Sequence, residues 1–153
     1  MAENTTLTDL RTQPSIMIGA FNNYWTARLD PGLRFEFRRI ENDHIGGIVD
    51  RNASSLLRWS IDDRNSIGNI SQDFGVITRK TSHLTGQPLL IVAGTGPYGT
   101  AAASDFITNP DYFEQFRAKA PRGWKKQDIQ IVISTDVVGG RSGPPHMLTY
   151  DLR

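Results

Sequence analysis

Six consecutive apolar positions, Pro88 to Ala93 (PLLIVA), run into Gly94-x-Gly96-x-x-Gly99 and then into the alanine run of TAAASDF. A strand that is apolar at every position has no face for water. It belongs at the centre of a sheet covered on both sides. The glycines interrupt the strand and the alanines favour helix. This stretch alone demands a strand–turn–helix unit and a further layer on the opposite face of the sheet.

The flanking segments supply the other layers. Leu33, Phe35 and Phe37 alternate with Arg34, Glu36 and Arg38, the period of a half-buried strand. NDHIGGIVDRN and SLLRWSI read as two more strands joined by a polar turn, which gives an antiparallel meander. PSIMIGAF reads as a short buried strand between Pro14 and Gly19. NNYWTARL continues it as a short helix capped by Asn22 or Asn23. Phe74 to Thr81 and Pro88 to Ala93 form the arms of a hairpin that turns at 83–87. A helix is expected from about Thr100 to Ile107, stopped at Asn109-Pro110. A second helix covers DYFEQFRAKA, DIQIVIST is a strand, DVVGGRSGPP a long turn, and HMLTYDL the last strand. The expected fold is α/β (or α+β): a mixed β-sheet with an antiparallel meander and a β-α-α-β-β C-terminal half, in three layers. Residues 1–13 read as a flexible arm or a short helix around Leu7 and Leu10, and 14–153 as a single domain. The Asp/Asn/Ser/Gly-rich segment from Asp62 to Gln72 reads as a mobile loop of the kind that carries function.

Several classes of function find no support. A chain of 153 residues buries roughly 68–70% of its unfolded surface and needs no covalent staple. It has no cysteine, which removes disulfides, cysteine nucleophiles and thiolate metal sites. Its 17 basic and 16 acidic residues leave a net charge of +1, without the basic stripe of a nucleic-acid binder. No apolar run approaches the roughly 18 residues that span a bilayer, and the N-terminus shows no signal-peptide core. His44, His83 and His146 share no metal-ligand spacing. The acids Asp62, Asp63 and Asp73 do not follow a calcium-loop pattern and read as solvated. RAKAPRGWKKQD gathers five basic residues around Trp124. It reads as a solvated connection with the indole folded onto the core. No cofactor or metal is expected.

The glycine turn poses the sharpest question. A dinucleotide fingerprint needs an acidic residue about 20 positions on, at the end of the next strand. Here that strand ends at Asp136, 37 residues after Gly99, and Pro97 removes one N–H from the turn. No Gly-Lys-Ser/Thr follows either, so this is not a P-loop. Two readings stay open. The turn is a generic cradle for an anion or carbonyl, with Thr95, Tyr98 and Thr100 adding hydroxyls. Alternatively, Gly94, Gly96 and Gly99 only allow a tight turn and close helix–sheet packing, which is the simpler reading.

IMIGAFNNYWT and LIVAGTGPYGT share one plan of strand, small-residue turn and helix start. If their strands lie parallel and adjacent, both C-terminal ends open on one crevice. Asn22, Asn23 and Trp25 would then face Gly94, Thr95, Gly96, Tyr98, Gly99 and Thr100. Amide and hydroxyl groups beside an aromatic surface suit a small polar ligand. The simpler alternatives are that Asn22 caps a helix and Trp25 fills the core.

The segments IMIGAFNNYWT, LRFEF, DFGVITR, LLIVAGTGPYGTAAASDFITNPDYF and APRGWKKQDIQIVISTDVVGGRSGPPHML carry a resemblance that covers the chain from Pro14 onward. It resembles an uncharacterised bacterial domain found at the C-terminus of larger regulatory proteins, downstream of a DNA-binding or signalling module and often of a membrane-spanning segment. The resemblance implies a sensory or interaction role. No such module or membrane segment is evident in this sequence, so an excised domain or a different role is expected. Three functions follow. The first is a non-enzymatic domain binding a small polar ligand or a protein partner in signal transduction. The second is a small enzyme using Gly94–Thr100 as an oxyanion cradle, with His83, His146, Asp73 or Asp136 as base. The third is a structural or oligomerisation module in which edges of the meander pair between chains.

Overall fold

The computed structural model describes residues 5–29, 32–40, 44–53, 57–62, 64 and 69–153. A six-stranded mixed sheet forms the middle layer. Its strands are β1 (Ser15–Ile18), β5 (Gln72–Thr81), β6 (Pro88–Gly94), β7 (Ile129–Val138), β8 (Arg141–Ser142) and β9 (His146–Leu152). The order runs β1-β6-β5-β7, with β8 and β9 both pairing to β7. Among the described residues only β1 and β6 run parallel, Ser15 opposite Leu89 and Ile18 opposite Val92; the other pairs are antiparallel.

The apolar run of β6 is divided between two cores, as its composition requires. Val92 and its neighbour Ile77 on β5 face α3 (Pro97–Thr108) and α4 (Pro110–Arg117). They pack with Ala102, Ala103, Phe106 and Phe116. Leu89, Ile91 and Ala93 face the other way, against α1 (Leu7–Leu10) and α2 (Tyr24–Leu29). The second face also carries the meander of β2 (Phe35–Ile40), β3 (Ile45–Asp50) and β4 (Leu57–Asp62), whose Phe35 and Ile48 meet Val76 and Val132. The expected three layers, mixed sheet and meander are therefore present.

A side chain ties the meander to the sheet. Gln130 on β7 is 3% exposed. Its Oε1 accepts the Phe35 N–H at 2.9 Å and its Nε2 donates to the Phe35 carbonyl at 2.9 Å. The amide thus plays the part of one more residue of strand for the main chain of β2. At the end of the meander the Arg34 guanidinium grips the buried Asp50 carboxylate at 2.8 and 3.0 Å.

Some boundaries differ from expectation for clear reasons. Helix α3 begins at Pro97, not near Thr100, because proline is well suited to the first helical turn. Strand β7 runs on through Val138 into a hairpin with β8, turning at Gly139 and Gly140. Both glycines have positive φ, 58° and 72°, as a two-residue hairpin turn requires. The rest of that Gly/Pro segment is anchored: Gln115 donates to the Pro145 carbonyl and accepts the Met147 N–H. The N-terminal helix α1 carries a Thr6–Asp9 capping box and buries Leu10. Trp124 packs on Phe113 and Phe116, while Arg79 lies over its ring and donates to the carbonyls of residues 124, 125 and 127. The expected functional loop over 62–72 falls in part on 63 and 65–68, which lie outside the described residues.

Candidate functional site

Parallel pairing of β1 with β6 brings the two similar segments side by side, with both strands ending at the same edge of the sheet. An open crevice of about 230 Å³ lies there. Its walls are Ala20, Phe21 and Asn22 after β1, Gly94 to Pro97 and Thr100 after β6, and Arg39 from the meander.

The sequence-derived candidates separate into two groups. Asn22, Gly94, Thr95, Gly96 and Thr100 line the crevice. Asn23, Trp25, Tyr98 and Gly99 do not line it. Asn23 caps α2: its Oδ1 accepts the Trp25 and Thr26 N–H groups at 3.0 and 3.3 Å, and its Nδ2 donates to the Ile18 carbonyl. Trp25 is 8% exposed and belongs to the core with Met17, Leu29 and Ile91. The Tyr98 hydroxyl lies toward Gly140 at the tip of the β7–β8 hairpin. Gly99 sits against β5, where a Cβ would come within 2.0 Å of the Phe74 carbonyl oxygen. A Cβ on Gly94 would lie 2.2 Å from the Thr100 nitrogen. At these two positions the glycines serve close helix–sheet packing.

The turn also holds an anion of its own. Asp73 is fully buried. Its Oδ1 accepts the Thr95 hydroxyl at 2.6 Å, the Gly96 N–H at 3.0 Å and the Phe74 N–H at 2.7 Å. Its Oδ2 accepts the Gly99 N–H at 2.7 Å. The positive end of α3 is thereby satisfied by a carboxylate from β5, the arrangement that helix N-termini favour. An outside oxyanion would have to displace Asp73 to reach the Gly96 and Gly99 N–H groups. The other acid–base candidates stand apart. His83 lies in the β5–β6 turn at the far end of β6, while Asp136 and His146 lie two and three strands away from it. No group of three metal-ligating side chains occurs among the described residues.

Four crevice residues, Ala20, Phe21, Arg39 and Pro97, were not among the sequence-derived candidates, and Arg39 is the charged one. It shares the strand phase of Phe35 and Phe37, where the period calls for an apolar side chain, but it lies toward the exposed end of β2. Its guanidinium lies 5.2 Å from the centroid of the Phe21 ring. Phe21 in turn meets Phe37 edge-on at 5.8 Å. The aromatic pair supports a cation at the crevice wall. Asn22 adds an amide and Thr100 a hydroxyl, which donates to the Gly96 carbonyl at 3.1 Å. The signal in the sequence was an arginine out of phase with the polar face of its strand. Comparison of the chain with family models, with curated proteins and with solved structures found no match.

Proposed function

We propose that this domain is a non-enzymatic binding module whose crevice takes a small polar ligand bearing an anionic group. The observation that carries this reading is Arg39, in phase with Phe35 and Phe37, at the wall of a crevice where the parallel strands β1 and β6 both end, the place where parallel strands of open α/β sheets bind ligands. Arg39 pairs with the anion, the Asn22 amide donates to it, and the Thr100 oxygen, whose proton is held by the Gly96 carbonyl, accepts from a donor elsewhere on the ligand. The crevice volume of about 230 Å³ falls below that of a typical drug-sized pocket, which restricts the ligand to a small one. A sensory setting is what the resemblance read in the sequence from Pro14 onward implies.

The test is a thermal-shift screen of carboxylates, phosphorylated metabolites, amino acids and nucleotides, run beside Arg39→Gln. A ligand at a hundred times its dissociation constant stabilises the fold by about 2.7 kcal/mol, which raises Tm by roughly 5–10 °C at this size. The expected result is a hit with the parent that Arg39→Gln loses. A hit kept in full by Arg39→Gln would move the ligand elsewhere. No hit at all would favour a second reading, a protein partner. That reading has its own support. Strand β1 is the edge of the sheet, and Ile16 and Ile18 on it are 67% and 62% exposed. An edge with such side chains is a template for strand addition.

A further inference from the structure

Lys80 is a buried cation. It is 6% exposed, and among the described residues its ammonium has no hydrogen-bond or ion-pair partner. Buried charges are almost always paired or hydrated, because a dry, unpaired ammonium is too costly. Thr78 and Lys80 share the face of β5 that looks toward the meander. Strand register pairs Arg79 with Ile129. Carried on by one residue, it sets Lys80 opposite Asp128, an opposite-charge cross-strand pair. The two side chains do not touch. Asp128 Oδ1 accepts the Thr81 N–H at 3.2 Å, and its Oδ2 receives no donor among the described residues. A cavity of about 10 Å³ is lined by Lys80, Asp128, Thr78 and Gln130. That is about the least room one water molecule needs. Asp151 and Arg153 border the same cavity but are paired with each other at 2.9 Å.

We infer that this cavity is a binding site for a single water molecule that bridges Lys80 and Asp128. The water accepts from the Lys80 ammonium and from the Thr78 hydroxyl, whose oxygen already takes a bond from Gln130. It donates to Asp128 Oδ2. Three hydrogen bonds are typical of an internal water. The site fastens the end of β5 to the start of β7 through solvent, next to the Gln130 clamp on the meander.

A high-resolution crystal structure of the full chain tests the site directly. One ordered water within hydrogen-bonding distance of both Lys80 Nζ and the Asp128 carboxylate is expected. A direct Lys80–Asp128 contact, or an ammonium swung into bulk solvent, overturns the inference. In solution, thermal unfolding of Lys80→Met, Asp128→Asn and the double variant reads the coupling. The double variant should lose less Tm than the two single losses added together. Strictly additive losses overturn the bridge. Should Lys80→Met fail to fold, the crystallographic result on the parent chain decides the matter.

Discussion

Asp73 on β5 and Gly99 in the first turn of α3 are joined by a 2.7 Å hydrogen bond from the Gly99 N–H to the Asp73 carboxylate. The carboxylate also takes the Gly96 N–H and the Thr95 hydroxyl. The Gly-x-Gly-x-x-Gly turn therefore encloses a carboxylate supplied by the same chain. This arrangement connects the central hairpin to the helix and fixes the wall of the crevice at Thr95 and Gly96.

Removing that carboxylate should be among the most damaging single changes in the domain. Asp73→Ala leaves the Thr95 hydroxyl and three main-chain N–H groups without their acceptor, in places that are buried or partly buried. Each stranded donor costs about 1–3 kcal/mol before any rearrangement. A loss of at least about 3 kcal/mol is expected from urea unfolding. Asp73→Asn should be milder, since one oxygen remains. A variant as stable as the parent would refute the structural role.

Gly99→Ala separates packing from ligand binding. A Cβ there would press on the Phe74 carbonyl, which belongs to β5 and cannot move alone. Overpacking of this sort costs typically 1–3 kcal/mol, occasionally more. We expect the denaturation midpoint to fall by at least the equivalent of about 2 kcal/mol, with no ligand present. An unchanged midpoint would show that α3 can shift away from β5.

The layers were legible in the sequence because the relevant signals are local. The apolar run from Pro88 to Ala93 requires cover on both faces, and Leu33, Phe35 and Phe37 mark a half-covered strand. The contents of the crevice were less legible because their partners are distant in the chain. Asp73 read as a solvated acid, yet it shares the phase of Gly75 and Ile77, the face of β5 beneath α3. Apart from the adjacent Phe74 N–H, its bonding partners lie 22 to 26 residues away. Asn22 and Asn23 were equal as caps by composition, and the backbone turn after Gly19 selects Asn23. Periodicity indicates which face a side chain takes, but not which segment of chain will meet it there.

Gln130 gives a prediction about how the layers hold together. Gln130→Leu fits the apolar surroundings but leaves the Phe35 N–H and carbonyl without partners. Unsatisfied buried groups outweigh the gain of an apolar side chain, so a loss of about 2–4 kcal/mol is expected. The local readout is amide exchange at Phe35, which should accelerate more than exchange at Ile91 in the central strand. Equal acceleration at both sites would mean that the meander and the sheet open as one unit.

The acid limb of stability should report on Asp50. Hydrogen bonds from Arg34 hold its carboxyl below the ordinary carboxylate range, against the opposing effect of burial. A group whose folded pKa is depressed contributes stability that is complete above its unfolded pKa, near 3.9, and that disappears as pH falls through the folded value. Stability should therefore decline as the pH drops below about 5 and continue to decline below about 4. Asp50→Asn cannot titrate, so its urea midpoint should vary less with pH over that window. At pH 7 the same variant should be weaker than the parent by about 2 kcal/mol, the usual worth of a hydrogen bond to a charged group. Arg34 keeps partial access to water, with 24% of its side chain exposed, which limits the loss. The two curves should converge toward low pH, where the parent has also lost the charge. Parallel curves would assign the acid sensitivity to other carboxylates and remove Asp50 from the account.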